Sequence, residues 1–192
     1  LVPGEVARGD IVFEVPEDAS NLTLQFDFQS FSIFKFNRVI VDLSQTDDQV
    51  ADLSQNLNIE IHNTGESVSY GDTEVSVNSI EFTDQVSDFA QADSGNEFAI
   101  VDITTTNNSD DAKQISTLLQ MLLKDGRGNS YSSSLTASSQ LTQAYDESTP
   151  LAPDESRRGK LAYEVAKDTS PLYWIFEFTL WTDGDKTFWQ LR

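Results

Sequence analysis

Hydrophobic and polar residues alternate with a period of two through much of this chain. One run places apolar side chains at Leu22, Leu24, Phe26 and Phe28, with polar residues between them. Such alternation is typical of a β-strand with one buried face. Residues 98–105 (FAIVDITT) are almost continuously apolar, which indicates a central strand. Turn-rich segments separate these runs, and together they predict an all-β fold.

The same segment occurs twice, at an offset of 150 residues. Residues 1–28 and 151–178 align without a gap, and 12 of the 28 positions are identical. Each copy predicts a turn, a strand, a second turn and a second strand. The first strand is predicted at residues 11–15 in one copy and 161–165 in the other. Gly9 and Gly159 lie at the predicted strand entry, where we expect a tight backbone conformation.

This repeat sets the predicted domain organisation. Residues 63–192 are predicted to form a complete immunoglobulin-like antiparallel β-sandwich, because the second copy closes a β-pattern that starts near Gly65. Residues 1–43 are predicted to be the carboxyl-terminal part of a first such domain, a β-hairpin remnant whose amino-terminal part is missing. Residues 44–62 are predicted to be a polar linker. The remnant would leave strand edges open, so we expect it to pair with another segment or chain.

Two places in the predicted sandwich depart from simple alternation. The phase changes at Asn78/Ser79, which indicates a β-bulge. Residues 118–124 fit a helix by the spacing of their leucines. They also fit one strand of a hairpin whose turn is the DGRGN sequence at 125–129. The turn sequence favours the hairpin.

Four successive motifs resemble a known family. They are GESVSYGD at 65–72, EFAIVDITTTNNSDD at 97–111, LLKDGRGNSY at 122–131 and LAPDESRRGKLAYEV at 151–165. Together they resemble the telokin-like, immunoglobulin-like secreted domain of unknown function 4352. Residues 1–16 match its last motif better than the second copy, which departs at Asp154 and Ala166. The resemblance implies a secreted or surface β-sandwich, often lipid-anchored or fused to other modules, and it implies no catalytic residues.

Charge narrows the range of partners. The chain has 12 basic and 32 acidic residues, for a net charge of −20. This balance argues against nucleic acid and anionic membranes, since both are bound through Lys and Arg. With 38% hydrophobic residues the chain can build a core. We therefore expect an acidic coat on a folded domain, as in haloarchaeal proteins, which lose stability in low salt.

Several features that the sequence lacks bear on its chemistry and its cellular location. No Cys is present, which excludes disulfides, zinc–thiolate sites and thiol nucleophiles. No apolar run approaches membrane-spanning length, so we expect no direct membrane insertion. No signal peptide or initiator Met is visible, and we expect a processed or cleaved start.

Candidate chemistry is sparse. His62 is the only histidine, and without Cys it cannot build a typical zinc site. As a general base it would need a nucleophile and an orienting group. Among 32 acids no catalytic carboxylate pair stands out. Candidate Ca²⁺ ligands are the loop pairs Asp125/Asn129 and Asp183/Asp185, although turn chemistry explains these residues equally well.

Aromatic residues and sequons supply the remaining candidate sites. Trp174 and Phe188 are assigned to the core. The candidate ligand-binding residues, predicted on the opposite face, are Tyr173, Trp181 and Trp189. Asn107 and Asn21 start glycosylation sequons, and Asn107 is the better placed because it lies in a predicted turn.

Three functions remain in view. The leading hypothesis is a non-catalytic extracellular or cell-surface binding or adhesion module for a protein or glycan partner. The alternative is a structural subunit of a surface filament or layer that self-associates through the amino-terminal hairpin by β-strand addition. A hydrolase is the third, and it would require a cleft with converging, pKa-shifted carboxylates.

Overall fold

Two β-sheets face each other in the computed structural model of this chain, which describes residues 1–29, 36–43, 54–179 and 185–192. The first sheet has five strands in the order β10 (Ser130–Tyr131), β9 (Met121–Asp125), β12 (Leu172–Glu177), β13 (Lys186–Gln190) and β3 (Ile61–Asn63). Its neighbours are antiparallel, apart from β3, which runs parallel to β13.

The second sheet is fully antiparallel. Its order is β11 (Ser156–Ala166), β8 (Asn96–Asn107), β5 (Thr73–Thr83) and β4 (Ser67–Tyr70). β8 lies between β5 and β11, which confirms the predicted central strand. The register shifts between Val77 and Ser79, which confirms the predicted bulge. Asn78, the bulged residue, donates through Nδ2 to Asp102 and Thr104 at 2.9 Å each.

Alternation along the strands decides which side chains fill the space between the sheets. Leu172, Trp174 and Phe176 of β12 all point inward and are fully buried. Trp174 Nε1 donates to the hydroxyl of Tyr163 at 3.0 Å, so the indole is buried without an unpaired polar atom. Burying one such apolar side chain contributes about 1.5–3 kcal/mol. The predicted all-β antiparallel sandwich is therefore confirmed, and so is the burial of Trp174.

Short elements connect the sheets. The ambiguous segment at 118–124 contains both predicted structures, because the single turn α1 (Thr117–Gln120) runs directly into β9 and on through a hairpin to β10. Ser116 caps α1, accepting the backbone N–H of Leu119. A second short helix, α2 (Leu135–Ser139), and a hairpin of β6 (Gln85–Ser87) and β7 (Ala90–Gln91) lie outside the two large sheets.

The first nine residues pack with the sandwich, and we call them the N-terminal strap. Chain contacts divide the molecule into one unit of Leu1–Gly9 with Leu53–Arg192 and another of Asp10–Asp52. The strap covers the outer face of the five-stranded sheet, where Val2 packs with Ile175 and Phe188. Phe188 is thus buried as predicted, but on the outer face.

These unit boundaries differ from the predicted ones in two places. Residues 1–9 belong with the sandwich instead of the first domain, because Val2 and Glu5 are docked on its sheet. The predicted linker at 44–62 includes packed chain, since Leu57 and Ile59 join the Val2 cluster and β3 starts at Ile61. Residues 57–62 (LNIEIH) alternate apolar and polar residues with a period of two, which is a strand pattern inside the predicted linker.

The second unit contains a two-stranded hairpin of β1 (Thr23–Gln29) and β2 (Phe36–Asp42). One face carries Leu24, Phe26, Val39 and Val41, and on the other face Arg38 pairs with Asp27 at 2.6 Å. The strand predicted at 11–15 is absent, and Val12 is 92% exposed. Its counterpart in the second copy is a strand because it pairs with β8, whereas no described strand pairs with residues 11–15.

The two repeat copies begin with the same turn. Pro3 and Pro153 are each followed by a residue with positive φ, Gly4 at +81° and Asp154 at +57°. In both turns the following Glu accepts the backbone N–H three residues earlier at 2.8 Å. Position 4 needs glycine because a Cβ there would lie 1.7 Å from the carbonyl oxygen of Asn56. Aspartate tolerates the left-handed conformation at the exposed second position.

Gly159 has a different role from the one predicted for the repeated glycines. Gly159 lies inside β11, where a Cβ would stand 2.3 Å from the Cα of Tyr145. The close approach of the Tyr145 backbone therefore explains why this position is glycine, and a special conformation at the strand entry does not. Gly9 has open space around it.

Candidate functional site

A groove lies at one edge of the sandwich, between β4 of the four-stranded sheet and β3 and β13 of the five-stranded sheet. Its cavity volume is about 250 Å³. The apolar lining comes from Ile59, Val68, Tyr70 and Phe178. The polar lining comes from Glu60, His62, Ser69, Asp185, Lys186 and Thr187. We call this site the edge groove.

Tyr70 ends β4 and forms an aromatic wall of the groove. Its ring lies 5.6 Å from that of Phe178, with 40° between the ring planes, and the residue is 49% exposed. The Tyr70 hydroxyl donates to the carboxylate of Asp185, and this hydrogen bond, with the negative charge, raises the pKa of Tyr70. Thr179 also donates to Asp185 at 3.1 Å. The groove therefore places an aromatic ring beside a carboxylate.

Lys186, at the base of the groove, is held by the strap. Glu5 lies between two amines, 2.6 Å from Lys124 Nζ and 2.7 Å from Lys186 Nζ, and its side chain is 2% exposed. Burial alone would raise the pKa of Glu5, but hydrogen bonds from both lysines and from Val2 N–H outweigh it and lower the pKa. Glu5 is thus an ionised clasp between strap and sheet.

His62 is part of β3 and packs against Trp189, with 5.8 Å between ring centroids. Its Nδ1 lies 3.8 Å from a carboxylate oxygen of Glu66. Ser69 shares the groove, but its hydroxyl donates to Glu74 at 3.2 Å. The described contacts therefore do not arrange serine, histidine and aspartate as a nucleophilic relay.

The structure corrects the aromatic candidates. Trp189 is fully buried in the core, and its Nε1 donates to the carbonyl of Glu66 at 3.0 Å. It points inward because it alternates with Phe188, which occupies the outer face. Tyr173 is half-buried on that outer face beside Phe188, and burial raises its pKa. Trp181 lies outside the described residues.

The two pairs of Ca²⁺ candidates have different outcomes. Both carboxylate oxygens of Asp125 accept internal hydrogen bonds, from the N–H groups of Arg127 and Asn129 and from the Asn129 and Tyr131 side chains. Turn chemistry thus accounts for Asp125 and Asn129, and no group of metal-ligating residues is found within the described ranges. Asp185 lines the edge groove, while Asp183 lies outside the described residues.

The glycosylation prediction is reversed. Asn107 is the last residue of β8 and is fully buried, and its Nδ2 donates to three carbonyls at 2.8–3.1 Å. A glycan on that nitrogen would destroy these bonds, so Asn107 is a structural residue. Asn21 is exposed with a φ of +55°, and it stays the candidate acceptor.

A comparison with protein families identifies the family to which the chain is related. The family described as Domain of unknown function (DUF4352) matches residues 62–186. The chain belongs to this family. The DUF4352 region runs from His62 to Lys186 and so contains most of the edge groove, whereas the strap with Glu5 lies before it.

Solved structures match this chain at low sequence identity. The yjhA protein of Bacillus subtilis is 15% identical, with a TM-score of 0.53 over 69% of this chain and 100% of its own. An uncharacterized β-sandwich protein of Clostridium difficile 630 is 20% identical, with a TM-score of 0.45 over 72% of this chain and 100% of its own. No curated protein matches the DUF4352 chain. Within the described residues, no helix is long and apolar enough to span a membrane.

Sequence reasoning missed the residues that shape this site. Tyr70 belongs to the GESVSYGD motif, which carries the family resemblance, and a tyrosine next to a turn on an edge strand is a signal for an exposed ring. Glu5 had no signal of its own, because its two lysine partners lie 119 and 181 residues away.

Proposed function

We propose that this protein is a non-catalytic binding module of the cell surface or extracellular space, and that the edge groove is its binding site. The observation that carries this proposal is the half-exposed Tyr70 ring, set against Phe178 and beside Asp185 in an open cavity. Exposed aromatic rings next to polar groups are common at recognition sites. The family resemblance to secreted modules supports the location.

The electrostatics favour binding over catalysis. A glycosidase needs a carboxylic acid whose pKa is raised so that it can act as general acid. Six described carboxyl groups have a lowered pKa, and they are Glu5, Asp27, Glu66, Asp102, Asp146 and Glu155. A lowered pKa shows that ion pairs and turn hydrogen bonds stabilise the ionised carboxylate. A hydrolase accordingly ranks below a binding module.

The test compares two aromatic variants on immobilised peptide and glycan arrays. Tyr70→Ala removes the groove wall, and Phe89→Ala removes an 85% exposed ring outside it. We expect the wild-type protein to bind a defined class of array members, Tyr70→Ala to lose that binding, and Phe89→Ala to keep it. Equal loss in both variants, or no binding by the wild type, would contradict the proposal.

The hairpin favours a structural subunit as a second candidate. Its side chains Phe26, Val39 and Val41 are 53%, 46% and 46% exposed, although their face is apolar. In the second repeat copy the position of Phe26 is taken by Phe176, which is fully buried between sheets. A monomer at all concentrations in sedimentation analysis would exclude assembly through this face.

A further inference from the structure

The two rings of the edge groove form a small aromatic surface. Tyr70 and Phe178 pack against each other, 5.6 Å apart and tilted by 40°, and Tyr70 is half exposed. A cation within about 6 Å of an aromatic centroid is attracted by the ring quadrupole. Asp185 adds a full negative charge next to Tyr70.

The sandwich already holds its own cations with this combination of groups. Arg192 stacks on Phe82, with its guanidinium carbon 3.7 Å from the ring centroid, and Nη1 lies 2.8 Å from Glu97. Lys186 Nζ lies 5.9 Å from the centroid of Phe188 and 2.7 Å from Glu5. In both cases a ring and a carboxylate flank one basic side chain. The edge groove likewise brings a ring and a carboxylate together, with Asp185 at the Tyr70 hydroxyl.

Charge around the groove favours a basic partner. Glu60 and Asp185 contribute two negative charges to the lining, while the amine of Lys186 is directed to Glu5. Asp185 accepts hydrogen bonds from Tyr70 and Thr179, which hold its carboxylate next to the Tyr70 ring. The net charge of −20 would also speed the approach of a basic molecule.

The volume of the cavity favours a single side chain over a larger ligand. The cavity of about 250 Å³ is smaller than the roughly 300–1,000 Å³ of pockets for drug-sized molecules. We propose that the edge groove receives a single lysine or arginine side chain of a basic polypeptide partner, held against the Tyr70 and Phe178 rings and beside the Asp185 carboxylate. This inference rests on the proposed binding function and names the chemical class of the partner.

The test titrates the full chain with end-capped trilysine and end-capped trinorleucine, which differ mainly in the ammonium groups, in about 0.5 M salt to screen long-range attraction. Asp185→Asn removes the groove carboxylate that lies beside Tyr70, one of the two in the lining, and Asp88→Asn removes an exposed charge at the β6–β7 turn. We expect wild-type protein to prefer trilysine, Asp185→Asn to weaken that binding about tenfold, and Asp88→Asn to change it less than about twofold.

Each other outcome overturns the inference. Equal affinity for trinorleucine would identify an apolar groove, and equal weakening by both variants would identify non-specific attraction. Absence of trilysine binding would also overturn it. The array comparison of Tyr70→Ala with Phe89→Ala still decides the proposed function in these cases, so the two failures are distinguishable. Circular dichroism of Asp185→Asn verifies that the variant is folded.

Discussion

Glu5→Gln is the substitution that tests how the strap is held. It keeps the shape of the side chain but removes the charge between Lys124 and Lys186, which stand 2.6 and 2.7 Å from the two carboxylate oxygens. Lys186 retains a second acid, Glu177, at 3.8 Å. Lys124 is 4% exposed at its side chain, so it would be left as a buried charge.

The magnitude follows from that burial. Removing one partner of a buried ion pair costs about 3–5 kcal/mol. If the strap leaves the sheet, Lys124 is hydrated again, and the loss is then limited to the docking free energy of the strap, in which burial of Val2 counts for about 1.5–3 kcal/mol. We therefore expect Glu5→Gln to lower the free energy of unfolding by about 3 kcal/mol.

The repeat provides a matched control. Glu155→Gln changes the same turn, but Glu155 is 35% exposed and pairs with Arg157 at 2.8 Å, so its loss should cost much less than that of Glu5. Urea unfolding followed by tryptophan fluorescence measures both variants. Adding Lys124→Met to Glu5→Gln should recover part of the loss, because the unpaired amine is removed. If Glu5→Gln is no less stable than Glu155→Gln, the clasp does not hold the strap.

Three further predictions concern stability. Gly159→Ala should destabilise by about 1–3 kcal/mol, because its Cβ would stand 2.3 Å from the Cα of Tyr145, while Gly9→Ala should be nearly neutral, as thermal unfolding can show. Asn107→Asp would direct a carboxylate at three carbonyls and should cost about 3 kcal/mol or more in urea unfolding. The lowered pKa of Glu5 contributes stability that is complete above its unfolded pKa of about 4.3 and is lost as pH falls through the folded value. The stability gap between wild type and Glu5→Gln should therefore shrink in acid, and a pH-independent gap would contradict this.

Local patterns predicted the sandwich because each strand carries its own signal. The alternation of Leu172, Trp174 and Phe176 identifies one buried face without knowledge of the partner strands. The phase change at Asn78 identifies the bulge for the same reason. Such features depend on neighbours in sequence, and the sequence therefore contains them.

Features that depend on distant partners were not predictable. A period of two places alternate residues on opposite faces of a strand, but it does not identify which face lies between the sheets. Trp189 was therefore assigned to an exposed face, although it is buried. Asn107 was expected in a turn, whereas three carbonyls from residues up to 45 positions away hold it at the strand end. The edge groove likewise needs β3, β4 and β13 to meet, and only the three-dimensional pairing brings Tyr70 to Asp185.

The most direct measurement of the central claim is a map of where a cationic ligand binds, from backbone amide chemical shifts of the ¹⁵N-labelled protein titrated with capped trilysine. We expect saturable shifts around the edge groove, at His62, Tyr70 and Phe178, and their loss in Tyr70→Ala. A second cavity of about 210 Å³, lined by Glu81, Gln140 and Lys160, provides the internal comparison. Shifts centred on that cavity, or spread evenly over the acidic surface, would contradict the edge groove as the binding site.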